Sequence, residues 1–334
     1  YAEIFAPLVS PAQGVSFIRR ASISAAVRVE SYSDAGRIAT PKFGVIYEPF
    51  EGLSLKGSWG RSFKLPTLYQ QYSGYSAVLL PVSGYGSTFP AGSTYVIALG
   101  SNDQEKAERS ENWVVTAEVR PARGLELSAS YFHIDYTDRV APPLTSIAGV
   151  LTNPVYASLI TSSPTASQIS TVSSGASGGL QNGTGAPLNP ANVVAIVDAR
   201  DRNVARQLYH GIDFSARYHI DLGSQRSLSF TGGATWLESW QQLISGLPRT
   251  DLAGRIFFPP HFKGRASVTY VGRSFTLASF VNYAGGVTDA RRSSAVEVHS
   301  LTTVDLTGSI KLGGRMSISV NALNLFNAKP ARRS

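Results

Sequence analysis

Residues Gly211 to Leu222, GIDFSARYHIDL, sort into two faces without exception. Ile212, Phe214, Ala216, Tyr218, Ile220 and Leu222 fall on one, and Gly211, Asp213, Ser215, Arg217, His219 and Asp221 on the other. A period of two is the mark of a β-strand whose faces meet different media. The pattern recurs along the chain. Leu228, Phe230, Ala234 and Trp236 oppose Ser229, Thr231, Gly233 and Thr235. Phe262, Ala266, Val268 and Tyr270 oppose Lys263, Arg265, Ser267 and Thr269, and Met316, Ile318, Val320 and Ala322 oppose Ser317, Ser319 and Asn321. With Ala21–Tyr32, Lys42–Glu48, Leu53–Arg61, Asn112–Arg120, Leu125–Tyr136, Phe275–Tyr283, Leu301–Leu312 and a partial strand Tyr1–Leu8, the alternation predicts twelve strands.

Many of these reach the ~9 to 11 residues that a tilted strand needs to cross a bilayer, beyond the 5 to 6 common in soluble sheets. Their connections come in two lengths. Pro49–Gly52, Pro121–Gly124, Gly223–Gln225, Gly272–Ser274 and Gly313–Arg315 are tight turns, while Ser62–Glu111, Asp138–Asn203 and Gln241–His261 are long loops. Short turns on one rim and long loops on the other are the arrangement of a transmembrane β-barrel, because loops of that length must have their backbone solvated. The expectation is therefore an all-β, antiparallel transmembrane barrel portion with the short turns periplasmic. A soluble β-sandwich also alternates, but its loops show no such sidedness. Tyr47, Trp59, Trp113, Trp240 and Tyr283, near strand ends, suit interfacial girdles.

Composition removes several other classes. No apolar run approaches the ~18 residues of a membrane-spanning helix. There is no cysteine, so neither a disulfide framework nor a thiolate metal site is available. Charged residues make up only 16% of the 334, below the ~25% of a typical soluble domain. Lys and Arg (30) outnumber Asp and Glu (22), yet no basic run exceeds two residues, so no nucleic-acid partner is expected. The five histidines, His133, His210, His219, His261 and His299, have no metal-ligand spacing. No nucleophile-base arrangement stands out, and His133, Asp135 and Asp138 read as a solvated barrel rim. No enzymatic role and no cofactor are expected.

Five segments, read in order, carry a resemblance: SFKLPTLYQQY, NDQEKAERSENWVVTAEVRP, LELSASYFHIDYTDRV, DARDRNVARQLYHGIDFSARYHIDL and NALNLFNAKP. Together they resemble the C-terminal barrel half of a TonB-dependent outer-membrane receptor. Glu108, Ser110, Glu111, Asn112 and Trp113 match the family's strand start, whereas Asp103 and Ala107 stand where prolines are usual. The resemblance implies about 22 strands around a globular plug. By it, residues 1–334 are a partial receptor barrel, roughly strands ten to twenty-one, without the plug, the TonB box, the first barrel half or the closing strand.

The function it implies is TonB-coupled uptake of a scarce, bulky nutrient across the bacterial outer membrane. A ferric siderophore comes first, then a vitamin B12-like molecule or an oligosaccharide. TonB, reached through the plug, and outer-membrane lipid are the implied partners. The polar strand face, with Arg28, Glu30, Lys56, Glu118, Arg217, Lys263 and Arg265, would line the lumen. A passive porin, an outer-membrane enzyme and a soluble carbohydrate-binding β-protein stand as alternatives.

Candidate ligand contacts lie in the long loops. Tyr69, Tyr72, Tyr75, Tyr85 and Tyr95 occupy the first, and Arg249, Arg255, Phe257, Phe258 and His261 the third. Rings and guanidinium groups together suit an anionic iron chelate or a sugar face. The same residues would serve to pack the loops on themselves. The Ser-, Gly- and Asn-rich stretch Ser162–Asn189 reads as a mobile loop tip.

Overall fold

A computed structural model gives the fold and describes residues 1–33, 36–291, 294–313 and 316–330. Twelve strands follow one another as antiparallel neighbours in a single wall. They are β1 (Ala2–Val9), β2 (Arg20–Tyr32), β3 (Gly36–Glu48), β4 (Leu53–Lys64), β5 (Glu108–Ala122), β6 (Leu125–Ala141), β7 (Arg202–Gly223), β8 (Arg226–Gln242), β9 (Phe262–Val271), β10 (Phe275–Ala284), β11 (Leu301–Leu312) and β12 (Met316–Ala322). All twelve segments expected from alternation are strands. β1 and β12 do not pair with each other, so the wall is an open arc.

Register explains why the alternation was so clean. Leu53, Val119, Leu127, Ala216, Gly232, Ala266, Val281 and Val304 are successive cross-strand partners, a row of apolar or small residues across eight strands. One residue along, Ser54, Glu118, Ser128, Ser215, Gly233, Arg265, Asn282 and Thr303 form the opposite-facing row. A slip of one residue in any strand would put polar groups into the apolar row, so each strand fixes its neighbour. The polar face is cross-linked: Lys56 Nζ lies 2.5 Å from Glu118 Oε1, Arg28 2.6 Å from Glu30, and Asp213 accepts from Thr235 at 2.6 Å. The apolar face leaves large side chains such as Phe214, Val281 and Phe230 open, as a lipid-facing surface requires. Among the described residues no helix is long and apolar enough to cross a membrane.

Ring contacts run from mid-strand to the long-loop end, and Tyr270 meets Phe275 at 5.3 Å beside the Gly272–Ser274 turn. Phe43 stacks on Trp59 at 5.7 Å, Trp113 on His133 at 5.3 Å, and Phe262 meets Tyr283 at 5.7 Å. Tyr47 lies toward the other rim, its hydroxyl donating to Phe17 O at 2.8 Å.

At the short-turn rim, Gly52 and Gly124 let the turns nest against the next strand. Arg120 N donates to Gly52 O at 2.6 Å and His219 N to Gly124 O at 2.8 Å. A Cβ at Gly124 would sit 2.2 Å from His219 O, which is why only glycine fits there. Between β7 and β8, Ser224 (φ 54°) and Gln225 (φ 61°) both take left-handed conformations, as a two-residue type I′ hairpin demands. The turn expected at Gly313–Arg315 extends outside the described residues.

The two-length rhythm is broken at the N-terminal end. Residues 10–19, including a 3-10 turn Pro11–Gln13, join β1 and β2 on the short-turn rim, while on the opposite rim β2 and β3 pair to their ends, Tyr32 opposite Gly36. At ~3.3 Å per residue, the 22 residues of β7 run about twice the length needed to cross hydrocarbon. Its first half therefore stands beyond the membrane, where the long loops begin.

Candidate ligand-binding surface

The first two long loops are not open excursions. They combine into a five-stranded sheet ordered Leu180–Asn182, Tyr75–Pro81, Thr94–Gly100, Val193–Asp198, Ile160–Ser162. Tyr75–Pro81 and Thr94–Gly100 form an antiparallel pair within the first loop. The second loop then adds a strand in parallel at each side: Gln181 opposite Val78, and Ile196 opposite Val96.

Alternation along these strands builds two cores. Ala77, Leu79, Val96 and Ile196 face Ile169 of the helix Ala166–Gly175. Val82, Tyr95, Ile97, Val197 and Ala199 pack on the other side around Val150. The helix starts where Thr165 accepts from Gln168 N at 3.2 Å and Gln168 Oε1 accepts from Thr165 N at 2.8 Å, a capping box. The stretch Ser162–Asn189, expected as a mobile tip, is thus largely folded. Its serines and glycines mask two apolar helix positions, Ile169 and Val172, that the core uses.

This cap separates the five tyrosines into two groups. Tyr95 is 2% exposed; burial, with the neighbouring Tyr85 adding to it, pushes its hydroxyl up to about 12. Tyr85 donates to Ile147 O at 2.8 Å and meets Phe89 and Tyr95 edge-on. Tyr75 donates to Val172 O at 2.9 Å, and the Arg200 guanidinium lies 5.0 Å above its ring. These three hold the cap together. Tyr69 and Tyr72, on the short helix Leu68–Tyr72, are 78% and 61% exposed, and their rings meet solvent.

Around the third loop three arginines lie over aromatic rings: Arg249 from the loop itself, Arg206 from β7 and Arg291 from the segment that follows β10. Arg249 lies 4.1 Å from the Trp240 ring centre, and Arg206, which grips Asp135 with both Nε and Nη2, lies 5.8 Å from the same ring. Arg291 lies 4.9 Å from the Phe257 ring and is paired with Asp289. Phe257 is 81% exposed with φ at +69°, an uncommon conformation for a bulky residue, of the kind that collects at functional sites. Arg255 is tied by its backbone, donating to Leu252 O at 3.1 Å. His261 stacks on Trp236 at 5.9 Å. Among the described residues no group of three or more His, Asp or Glu is placed to hold a metal ion.

A model of the TonB dependent receptor-like β-barrel family matches residues 15–325. The chain belongs to that family. No curated protein matches it. Among solved structures it is similar to a variant of the ferric enterobactin receptor PfeA from Pseudomonas aeruginosa in complex with enterobactin, at 16% identity and a TM-score of 0.61, covering 97% of this chain and 39% of that one. The siderophore receptor PirA from Acinetobacter baumannii is similar at 16% identity and a TM-score of 0.59, covering 92% and 39%. The FrpB iron transporter from Neisseria meningitidis gives 15% identity, a TM-score of 0.55, and coverage of 94% and 40%. The chain spans about two fifths of the length of these structures. At such identities the likeness is one of fold.

In this TonB-dependent receptor barrel, then, Tyr69, Tyr72, Arg249, Phe257 and Phe258 present exposed surface, whereas Tyr75, Tyr85 and Tyr95 serve the cap. The structure adds residues that sequence reading passed over. Arg200 and Asp198 pair at 2.9 Å, with Arg202 on the same carboxylate at 2.9 Å. Burial works to raise the Asp198 carboxyl, but the hydrogen bonds and charge of Arg200, with Arg202, hold it below its usual range. The signal was present in DARDR, where Asp198, Arg200 and Arg202 sit two apart. Arg291, 34 residues beyond Phe257 in sequence, left no such signal.

Proposed function

We propose that the chain forms part of the barrel of a bacterial outer-membrane receptor that takes up a bulky nutrient, foremost a ferric siderophore, with energy delivered through TonB. The observation that carries this reading is the family's barrel wall with a folded cap on its long-loop rim, since a rim built on its own core can hold exposed anchors in place. Tyr69, Tyr72, Phe257 and Phe258 supply rings, and Arg249 supplies a guanidinium held over Trp240 for an anionic chelate. The polar face with Arg28, Glu30, Lys56, Glu118, Arg217, Lys263 and Arg265 lines the lumen against the plug. Transport moves the ligand without chemical conversion. The covering loops and asymmetric rim favour this over a passive porin.

The test is direct. Purified receptor is titrated with ferric catecholate, ferric hydroxamate, cobalamin and oligosaccharide probes, following tryptophan fluorescence, and uptake of the bound probe is measured in iron-limited cells with and without TonB. Saturable binding of a ferric chelate with TonB-dependent uptake is expected. Uptake that persists without TonB and rises linearly with concentration would instead establish a porin.

A further inference from the structure

The returns of the two capped loops meet where they rejoin the wall. Ala199 N donates to Ala98 O at 2.9 Å and Asp201 N to Gly100 O at 2.8 Å. Asn102 Nδ2 donates to Asp201 O at 3.1 Å, Lys106 N to Asn203 Oδ1 at 2.7 Å, and Asn203 Nδ2 back to Lys106 O at 2.7 Å and on to Asp138 O at 2.8 Å. Within this seam lies Glu105, 6% exposed, with neither carboxyl oxygen hydrogen-bonded.

Its charged surroundings are the wrong sign for a carboxylate. From the wall comes Glu108, 1% exposed, already holding Lys64 at 3.3 Å, the Tyr136 hydroxyl and Val140 N. From the second loop comes Asp201, whose flanking Arg200 and Arg202 both grip Asp198. Along its own segment stand Asp103 and Lys106, the latter exposed. Among the described residues no cation is seated on Glu105 and no cluster there could hold a metal ion.

We infer that Glu105 is a proton-responsive latch at the root of the cap, closing the seam when neutral and loosening it when ionised. Burial, with the charges of Asp201 and Glu108 adding to it, pushes the Glu105 carboxyl up to about 7. A raised carboxyl stabilises the closed seam fully below the ordinary carboxyl range, and that stability is lost as pH climbs to about 7 and then levels off. The inference rests on the cap's geometry and not on what the cap binds.

Hydrogen exchange in the detergent-purified receptor reads it out. Amides of residues 101–107 and 199–203, each rate divided by the intrinsic rate at the same pH, should open on the order of 30-fold more at pH 8.5 than at pH 5.5. Glu105→Gln should flatten that profile at the protected level. Asp201→Asn, which removes one neighbouring like charge, should keep the profile but move its plateau to lower pH, and it serves if Glu105→Gln does not fold. A flat wild-type profile, an unchanged slope in Glu105→Gln, or an unmoved plateau in Asp201→Asn would overturn the latch.

Discussion

Tyr85 meets Tyr95 edge-on, ring centres 6.2 Å apart and planes at 83°, so the two rings join the first loop's outgoing and returning limbs inside one core. Tyr95→Ala should cost about 3–5 kcal/mol of cap stability, the range for deleting a buried aromatic. Tyr85→Phe, which loses only the hydrogen bond to Ile147 O, should cost about 0.5–1.5 kcal/mol. Hydrogen exchange across Tyr75–Pro81 and Thr94–Gly100 would rank them, and the reverse ranking would remove Tyr95 from the centre of the core.

The same burial predicts an alkaline signature. With its hydroxyl raised to about 12, Tyr95 contributes stability that is complete below the usual tyrosine value of about 10 and lost as pH passes through about 12. Absorbance at 295 nm should show a late-ionising tyrosine that disappears in Tyr95→Phe.

On the wall, Phe214 and Asp213 sit on opposite faces of β7. A spin label at position 214 should be quenched by lipid-soluble reagents and one at 213 by water-soluble ones. Tyr218→Arg, midway along the crossing half of β7 and on the same face as Phe214, should destabilise the barrel by about 2–4 kcal/mol. Equal lipid access at both positions would break the register read from the cross-strand rows.

Ligand contacts should separate from cap-builders by mutation. Tyr69→Ala with Tyr72→Ala should leave stability within about 0.5 kcal/mol yet weaken ligand binding at least tenfold, about 1.4 kcal/mol. Arg249→Met should weaken an anionic chelate more than a neutral ligand. If binding is lost only in variants that also loosen the cap, these exposed side chains are not the contacts. Excising residues 73–95 is no clean test, because it removes Tyr75–Pro81 and with it the sheet.

The wall was legible because a membrane strand must display its alternation to two solvents, as Gly211 to Leu222 does at every position. The cap was not. Two of its four strand pairings are parallel and join residues about a hundred apart, such as Ile196 with Val96, and no local period announces that. Runs such as YVIAL at Tyr95–Leu99, apolar on both faces, are the trace that a buried strand leaves. Among the candidate residues, type was readable and placement was not: Tyr69 and Tyr95 look alike in sequence, and only the fold exposes one and encloses the other.

The interleaving of the two loops also bears on how such a receptor can diversify. Because strands from the second loop flank the first on both sides, neither loop is an independent cassette. Exchanging one with a relative's counterpart would strip the other of its partner strands, so variation at this rim must be inherited as a matched pair. Exposed positions that touch neither ligand nor cap core can change singly, while the seam between the loops changes only through compensated steps.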